Sequence, residues 1–336
     1  AGPIERRVNP ALAKRRVCFG ECERAEHSVS KFGILAGVVA VGAAAWTGGW
    51  FYLSGEAEGR MDAELAKLKA RGIAITCPNR AIGGYPFRFE VTCTTPSVAI
   101  ERTGLTARVA GLRAVALLYN PTHAIIELDG PLEAASPEGG TVAATWSTLQ
   151  VSARLVENWS IRASLAAKSL DAKATAPMGN AVRLKAETAE AHVRPLEVGA
   201  GRFDIDVQSL FQKLQTEIDA APVGPPLADV SLDLVAKAVP MTRGGDRLKA
   251  WANAGGSLEI KGLKVTAGDL AAVARGDVMA DANGLLTGAI TVAASGLDKV
   301  AADPASLGLP RGAGAAMGAL MIMAPKETVD GVERRR

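Results

Sequence analysis

From Phe32 to Gly55 the chain carries no charged residue, and the stretch Phe32 to Leu53, FGILAGVVAVGAAAWTGGWFYL, is apolar on every face of a helix. A helix rising about 1.5 Å per residue needs roughly 20 such residues to cross the ~30 Å lipid core. The run therefore predicts one transmembrane helix. Its flanks set a direction. Arg6, Arg7, Lys14, Arg15, Arg16, Arg24 and Lys31 precede it, whereas Glu56, Glu58, Asp62 and Glu64 follow it against Arg60. Lys and Arg stay on the cytoplasmic side, so the expected topology is N-terminus inside and the bulk of the chain outside. Trp46, Trp50, Phe51 and Tyr52 crowd the outer end, at the depth that amphipathic rings favour. The competing reading is a cleaved signal peptide processed near Ala43-Ala44-Ala45, but the apolar run continues past that point. Small residues at Gly33, Gly37, Ala45 and Gly49 recur on a four-residue spacing that would let a second helix approach closely.

Around this span the chain divides into a cytoplasmic tail (1–31), the helix (32–53), an amphipathic stalk helix (54–72), a body (73–325) and a charged tail (326–336). The stalk places Ala57, Met61, Leu65 and Leu68 on one face, with Arg60 and Glu64 as a four-apart ion pair and Gly72 as its stop. No proline separates it from the span, so one continuous helix is expected. About 280 residues remain outside, enough for one large or two small domains. The net charge of +3 gives no case for nucleic acid, because the basic excess sits in the leader and the tail.

From Ile73 the period becomes two. Phe87, Phe89, Val91 and Cys93 alternate with polar residues, as do Trp159, Ile161, Ala163 and Leu165, and Val230, Leu232, Leu234 and Ala236. These are half-buried antiparallel strands. Some runs switch parity, from Val182, Leu184 and Ala186 to Ala189, Ala191 and Val193, and from Leu258 and Ile260 to Leu263 and Val265 across Gly262. Each switch requires a bulge, a twist or a turn. The expected fold class is mainly β, a β-rich α+β body made of a curled antiparallel sheet with a few helices. Helices are expected over Ser209–Ala220, Leu297–Ala302 and Ala313–Met323, and Pro222 to Pro226 marks a sub-boundary.

The inventory of reactive groups is thin. Of the three histidines, His27 precedes the span, and His123 and His192 have no metal-ligand spacing. No GxSxG elbow, Walker loop or GxGxxG after a strand occurs. No catalytic, cofactor or metal residues are assigned, and a hydrolase is the weakest reading. Cys18 and Cys22 precede the span as a lone thiol pair or half a zinc site. Cys77 and Cys93 follow it, and in an oxidising compartment they pair as a disulfide.

The segment Cys77-Pro-Asn-Arg80-Ala-Ile-Gly83-Gly84-Tyr85-Pro86-Phe87-Arg88-Phe89-Glu-Val-Thr-Cys93, placed after an anchor and an acidic helix, resembles an uncharacterised family of alphaproteobacterial envelope proteins, domain of unknown function 2125. Leu118 to Leu132 and Asp281 to Val292 look like its later landmarks, so the resemblance covers roughly residues 30 to 300. It implies a single-pass protein of the bacterial inner membrane with a periplasmic body, and no established activity. The glycine-bounded strands at 104–112, 256–263 and 288–297 also resemble, in style only, the AsmA-like envelope proteins, whose curled sheets are implicated in lipid handling. The functional expectation is a non-enzymatic protein that holds membrane lipid or another hydrophobic ligand. The alternative is an accessory or scaffold subunit that meets other membrane proteins through the helix.

Overall fold

A computed structural model describes residues 31–156, 161–199, 202–225, 227–240, 247–280, 285–297, 326–329 and 332–335. The tail with Cys18, Cys22 and His27 lies outside these residues, as do Trp159 and, apart from Leu297, the helices expected over 297–302 and 313–323. The chain divides into two compact units, residues 1–49 and 50–336.

Helix α1 runs unbroken over Lys31–Ala70. In its second half Ala57, Met61, Leu65 and Leu68 are half-buried, and the residues between them are exposed. This is the face that the sequence periodicity requires. The expected Arg60–Glu64 pair does not form. Arg60 bonds Glu56 at 2.9 Å, and Glu64 takes Lys67 at 2.6 Å. Helical side chains lean toward the N-terminus, and a carboxylate one turn before its cation is the better order. Gly72, at φ 78°, ends the helix by donating its N–H to the carbonyl of Lys69.

The strands that follow are β1 (Ile73–Thr76), β2 (Ala81–Gly83), β3 (Arg88–Thr94), β4 (Ser97–Ile100), β5 (Leu105–Leu117), β6 (Asn120–Ala135), β7 (Thr141–Thr145), β8 (Thr148–Leu155), β9 (Ile161–Thr175), β10 (Ala181–Gly199), β11 (Arg202–Ile218), β12 (Ala221–Pro222) and β13 (Ala228–Pro240). After the short helix α2 (Arg247–Asn253) come β14 (Ser257–Ala267), β15 (Leu270–Ala280), β16 (Leu286–Ser295), β17 (Lys326–Val329) and β18 (Val332–Arg335). All eighteen belong to one antiparallel sheet, in which most strands pair with their neighbours in sequence. Of the proline-rich segment, residues 222–225 lie in the connection between β11 and β13, which pair directly, and Pro226 is outside the described residues.

Ser209–Ala220 is not a helix. Ser209 to Ile218 falls within β11, paired with β10 and, as far as Leu214, with β13, and Asp219-Ala220 form the turn that follows. Leu210, Leu214 and Ile218 satisfy a period of two as well as a period of four. Gln, Lys and Glu between them favour a helix locally, and two flanking strands override that preference.

The parity switches are aligned. A line of irregularities crosses the sheet at Thr95 between β3 and β4, Ala110 in β5, Gly130 in β6, Ser147 between β7 and β8, Ser169 in β9, Glu187 in β10 and Lys213 in β11. Thr95, Ser169 and Lys213 have φ near +50°, and the register of β11 against β13 slips between Phe211 and Leu214. Glu187 and Lys213 form an ion pair on this line. On either side of it, inward residues stand three apart instead of two: Ala167 and Leu170, Ala186 and Ala189, Phe211 and Leu214. One extra residue per strand keeps the apolar side chains on the same face while the sheet bends. Cys93, Ala144, Ala167, Ala186, Ala189 and Ala228, all buried, flank this crease. A second bulge at Lys261-Gly262 in β14 accounts for the switch from Ile260 to Leu263.

Enlarging a side chain inside the crease should strain both limbs. Ala167→Leu is expected to destabilise the detergent-solubilised protein by about 1–3 kcal/mol. Ala174→Leu, at an exposed position of the same strand, should cost much less. Urea unfolding midpoints of the two variants compare them.

Candidate functional site

The register turns scattered alternation into continuous rows. One row runs Ile82, Val91, Ala114, Ile126, Val151, Leu165, Ala191, Ser209, Leu232, Leu263, Ala274, Val292, one residue from each of twelve strands. The row beside it runs Phe89, Ala116, Ala124, Ala153, Ala163, Val193, Val207, Leu234, Ile260, Gly276, Ile290. Across the crease a third runs Ile75, Val98, Ala107, Ala134, Val142, Ala174, Val182, Ile218. Ser209 is the single polar member of the three. At the interstrand spacing of about 4.8 Å the longest row spans roughly 50 Å.

This face is not sealed. Ile161 is 57% exposed, Ile290 52% and Val292 52%. Leu232 and Leu234 are half-buried. Among the described residues no large side chain is fully buried. Two adjoining hollows of about 550 and 390 Å³ share Ala134, Ala135, Thr141 and Val142, and reach Val98 on one side and Val182 on the other. Alanine and valine make up much of their walls, beside Thr106, Arg108, Glu133, Thr141, Thr175 and Asn180.

The opposite face is a lattice of cross-strand ion pairs: Arg113 to Glu90 at 2.7 Å, Arg183 to Asp171 at 2.6 Å, Arg194 to Asp206 at 2.6 Å and Lys237 to Glu259 at 2.8 Å. Each contributes modestly, and toward β13–β16 the same face also carries the buried Val235, Val273 and Ala293, with Asp206 only 5% exposed. Both described histidines lie on it. The His123 Nε2 is 2.8 Å from the Ser152 hydroxyl, and the His192 Nδ1 is 2.9 Å from that of Ser164. Ser152 and Ser164 are direct partners across β8 and β9. The second imidazole nitrogen of His192 stands 3.9 Å from Glu190. His192 therefore faces a serine and a carboxylate, on a half-exposed sheet surface where the strand amides are committed to the ladder. Among the described residues, no group of three or more His, Cys, Asp or Glu side chains is placed to hold a metal ion.

At the end of the sheet nearest α1, the segment from Cys77 to Cys93 forms a hub. Cys77 and Cys93 are bonded, with Cα atoms 5.2 Å apart. Trp50 is only 5% exposed. It stacks on Phe89 at 6.0 Å, meets Tyr85 edge-on at 5.5 Å, and donates its indole N–H to the carbonyl of Arg88 at 3.2 Å. Further along the helix Arg80 bonds Asp62 at 2.7 Å and Glu58 at 3.3 Å. The Arg80 guanidinium holds the Asp62 carboxyl below the usual carboxylate range. Of the rings expected at a membrane interface, Trp46, Phe51 and Tyr52 are exposed, whereas Trp50 packs into the hub. Gly33, Gly37, Ala45 and Gly49 form an exposed stripe on α1. The sequence marked the disulfide loop, but not that Trp50 and Arg80 join it to the helix. The aromatic beside Gly83-Gly84 was the available signal.

These features define a class: a β-rich protein with an extended open apolar face, attached to a helix long and apolar enough to cross a membrane. Residues 50–335 match the family described as an uncharacterised protein conserved in bacteria, DUF2125, and the chain belongs to that family. The match extends past residue 300 to take in β17 and β18. No curated protein and no solved structure matches the chain.

Two outcomes follow for the hub. Replacing Cys77 and Cys93 together by Ala opens a loop with a sequence separation of 16 and should cost about 3 kcal/mol in unfolding free energy. The Arg80–Asp62 contact has the acid sign. Because the folded carboxyl titrates below its unfolded value, its contribution is present above the ordinary carboxylate range and is lost as pH falls through the folded value. Asp62→Asn should remove that acid-dependent loosening, read as the pH dependence of near-ultraviolet circular dichroism from the Trp50 cluster.

Proposed function

We propose that this protein is a non-catalytic carrier or conduit for membrane lipid, holding acyl chains along the apolar face of its sheet. The observation that carries this reading is the set of long apolar rows, interrupted by Ser209 alone, whose members are half-buried or exposed. Antiparallel strands with one dry face must bury that face against something. Among the described residues, the stalk and α2 are the helices that accompany the sheet. An apolar path of roughly 50 Å exceeds the ~30 Å hydrocarbon core of a bilayer, so it could take several acyl chains in succession. Walls rich in alanine and valine suit acyl chains, and Arg108 and Glu133 at the edge of one hollow could meet a polar end. The polar face, with its His–Ser pairs, serves solubility in this reading.

The setting that fits is the bacterial inner membrane, with the N-terminus cytoplasmic and the body periplasmic. It is supported by the charge asymmetry around 32–53 and by the Cys77–Cys93 bond. A second reading, an accessory subunit of a membrane complex, is favoured by the exposed small-residue stripe at Gly33, Gly37, Ala45 and Gly49.

Purification in mild detergent with mass spectrometry of bound lipids and proteins tests both. Phospholipid should accompany the wild-type protein in stoichiometric amount, and Val142→Glu with Ile290→Glu should release most of it while the fold persists. Recovery of a fixed protein partner without lipid would favour the complex-subunit reading. Alkaline phosphatase fused after Arg71 should be active, and an inactive fusion there would reverse the topology.

A further inference from the structure

We infer that the β2–β3 hairpin tip, Tyr85 to Phe87, is seated in the membrane interface, so that the apolar rows begin at the bilayer surface. The argument starts from two attachments between the hairpin and α1. One is at Trp50, which packs on Tyr85 and Phe89. The other is at Glu58 and Asp62, which hold Arg80. These helix positions are eight to twelve residues apart, or about 12–18 Å along the axis. Two attachments at different heights fix the hairpin's direction. Its Arg80 end lies beside the charged stalk, and its Tyr85 end lies beside the last turn of the uncharged run. Whatever depth Trp50 occupies, Tyr85 occupies within a ring's breadth.

The exposed surface at that level is aromatic. Tyr85 is 50% exposed and Phe87 61%, and the Tyr85 ring is stacked 6.2 Å from that of Phe51, itself exposed. Rings of this kind are stable where one edge meets acyl chains and the other meets water. Gly84 makes the tip possible. It sits at φ +97°, and a Cβ there would lie 2.7 Å from the carbonyl oxygen of Arg88. The occupant of this surface is the bilayer that holds α1, because the tip and the helix share one aromatic cluster. Phe89, the first member of an apolar row, packs on the same indole, which places the start of the proposed lipid path at the interface.

This inference rests on the span reading of Phe32–Leu53, and the experiment separates the two. In full-length protein with Cys18→Ser and Cys22→Ser, the bonded Cys77 and Cys93 leave no free thiol. Single spin labels are then placed at Val41→Cys, Phe87→Cys and Met178→Cys, with Tyr85→Cys as a second tip position. The proteins are reconstituted in phosphatidylethanolamine–phosphatidylglycerol vesicles, and collision with oxygen is compared with collision with a water-soluble nickel chelate. Residues 41, 87 and 85 should favour oxygen, and residue 178, 90% exposed, should favour nickel. Oxygen preference at 41 with nickel preference at both tip positions would overturn the inference and leave the span intact. Nickel preference at 41 would overturn both.

Discussion

The constraint on which the structure depends is the cost of leaving one side of a long antiparallel sheet dry. Strand pairing satisfies the backbone, but the inward side chains still need cover. In this protein they are mostly alanine, valine, leucine and isoleucine, and among the described residues few helices accompany them. The crease supplies part of the answer. By adding one residue to each of several strands at the same level, it keeps the apolar side chains on one face as the sheet bends, and Ala167, Ala186 and Ala189 beside it are buried. Away from the crease the same face stays open, and that open length is what the proposed lipid path uses.

The two ends of the chain's logic meet at the hub. Trp50 belongs to the helix by covalent continuity and to the sheet by packing. The disulfide and the Arg80 contacts hold the hairpin in the one orientation that lets the rows start there. Removing any one of them loosens a joint, without touching the strands farther along.

Much of the architecture was legible in the sequence because it is local. The uncharged run, the stalk face at Ala57, Met61, Leu65 and Leu68, the alternation of β3, β9 and β13, and the cysteine pair each declare themselves within a short window. The parity switches at Ala186 to Ala189 and at Gly262 were legible too. What could not be read was their alignment, because the line from Thr95 to Lys213 exists only once pairing register is set between distant strands. The apolar rows are hidden for the same reason, since each strand contributes a single residue. Ser209–Ala220 failed because its spacing fits helix and strand alike and only its neighbours decide. Trp50 was placed at the membrane interface by its position at the outer end of the apolar run, and its packing on Tyr85 and Phe89 was not legible. Nothing local distinguishes it from Trp46, which stays exposed.

The crease also governs how this chain can change in length. A strand may grow or shrink at its hairpin ends in matched pairs, since that only moves a turn outward or inward. At the crease, a lone insertion or deletion would turn one limb of a single strand inside out. Its charged residues would face the apolar path, and its alanines would face water. Drift in length is thus free at the rims and locked along one transverse line. A variant that shifts the line must alter several strands in concert.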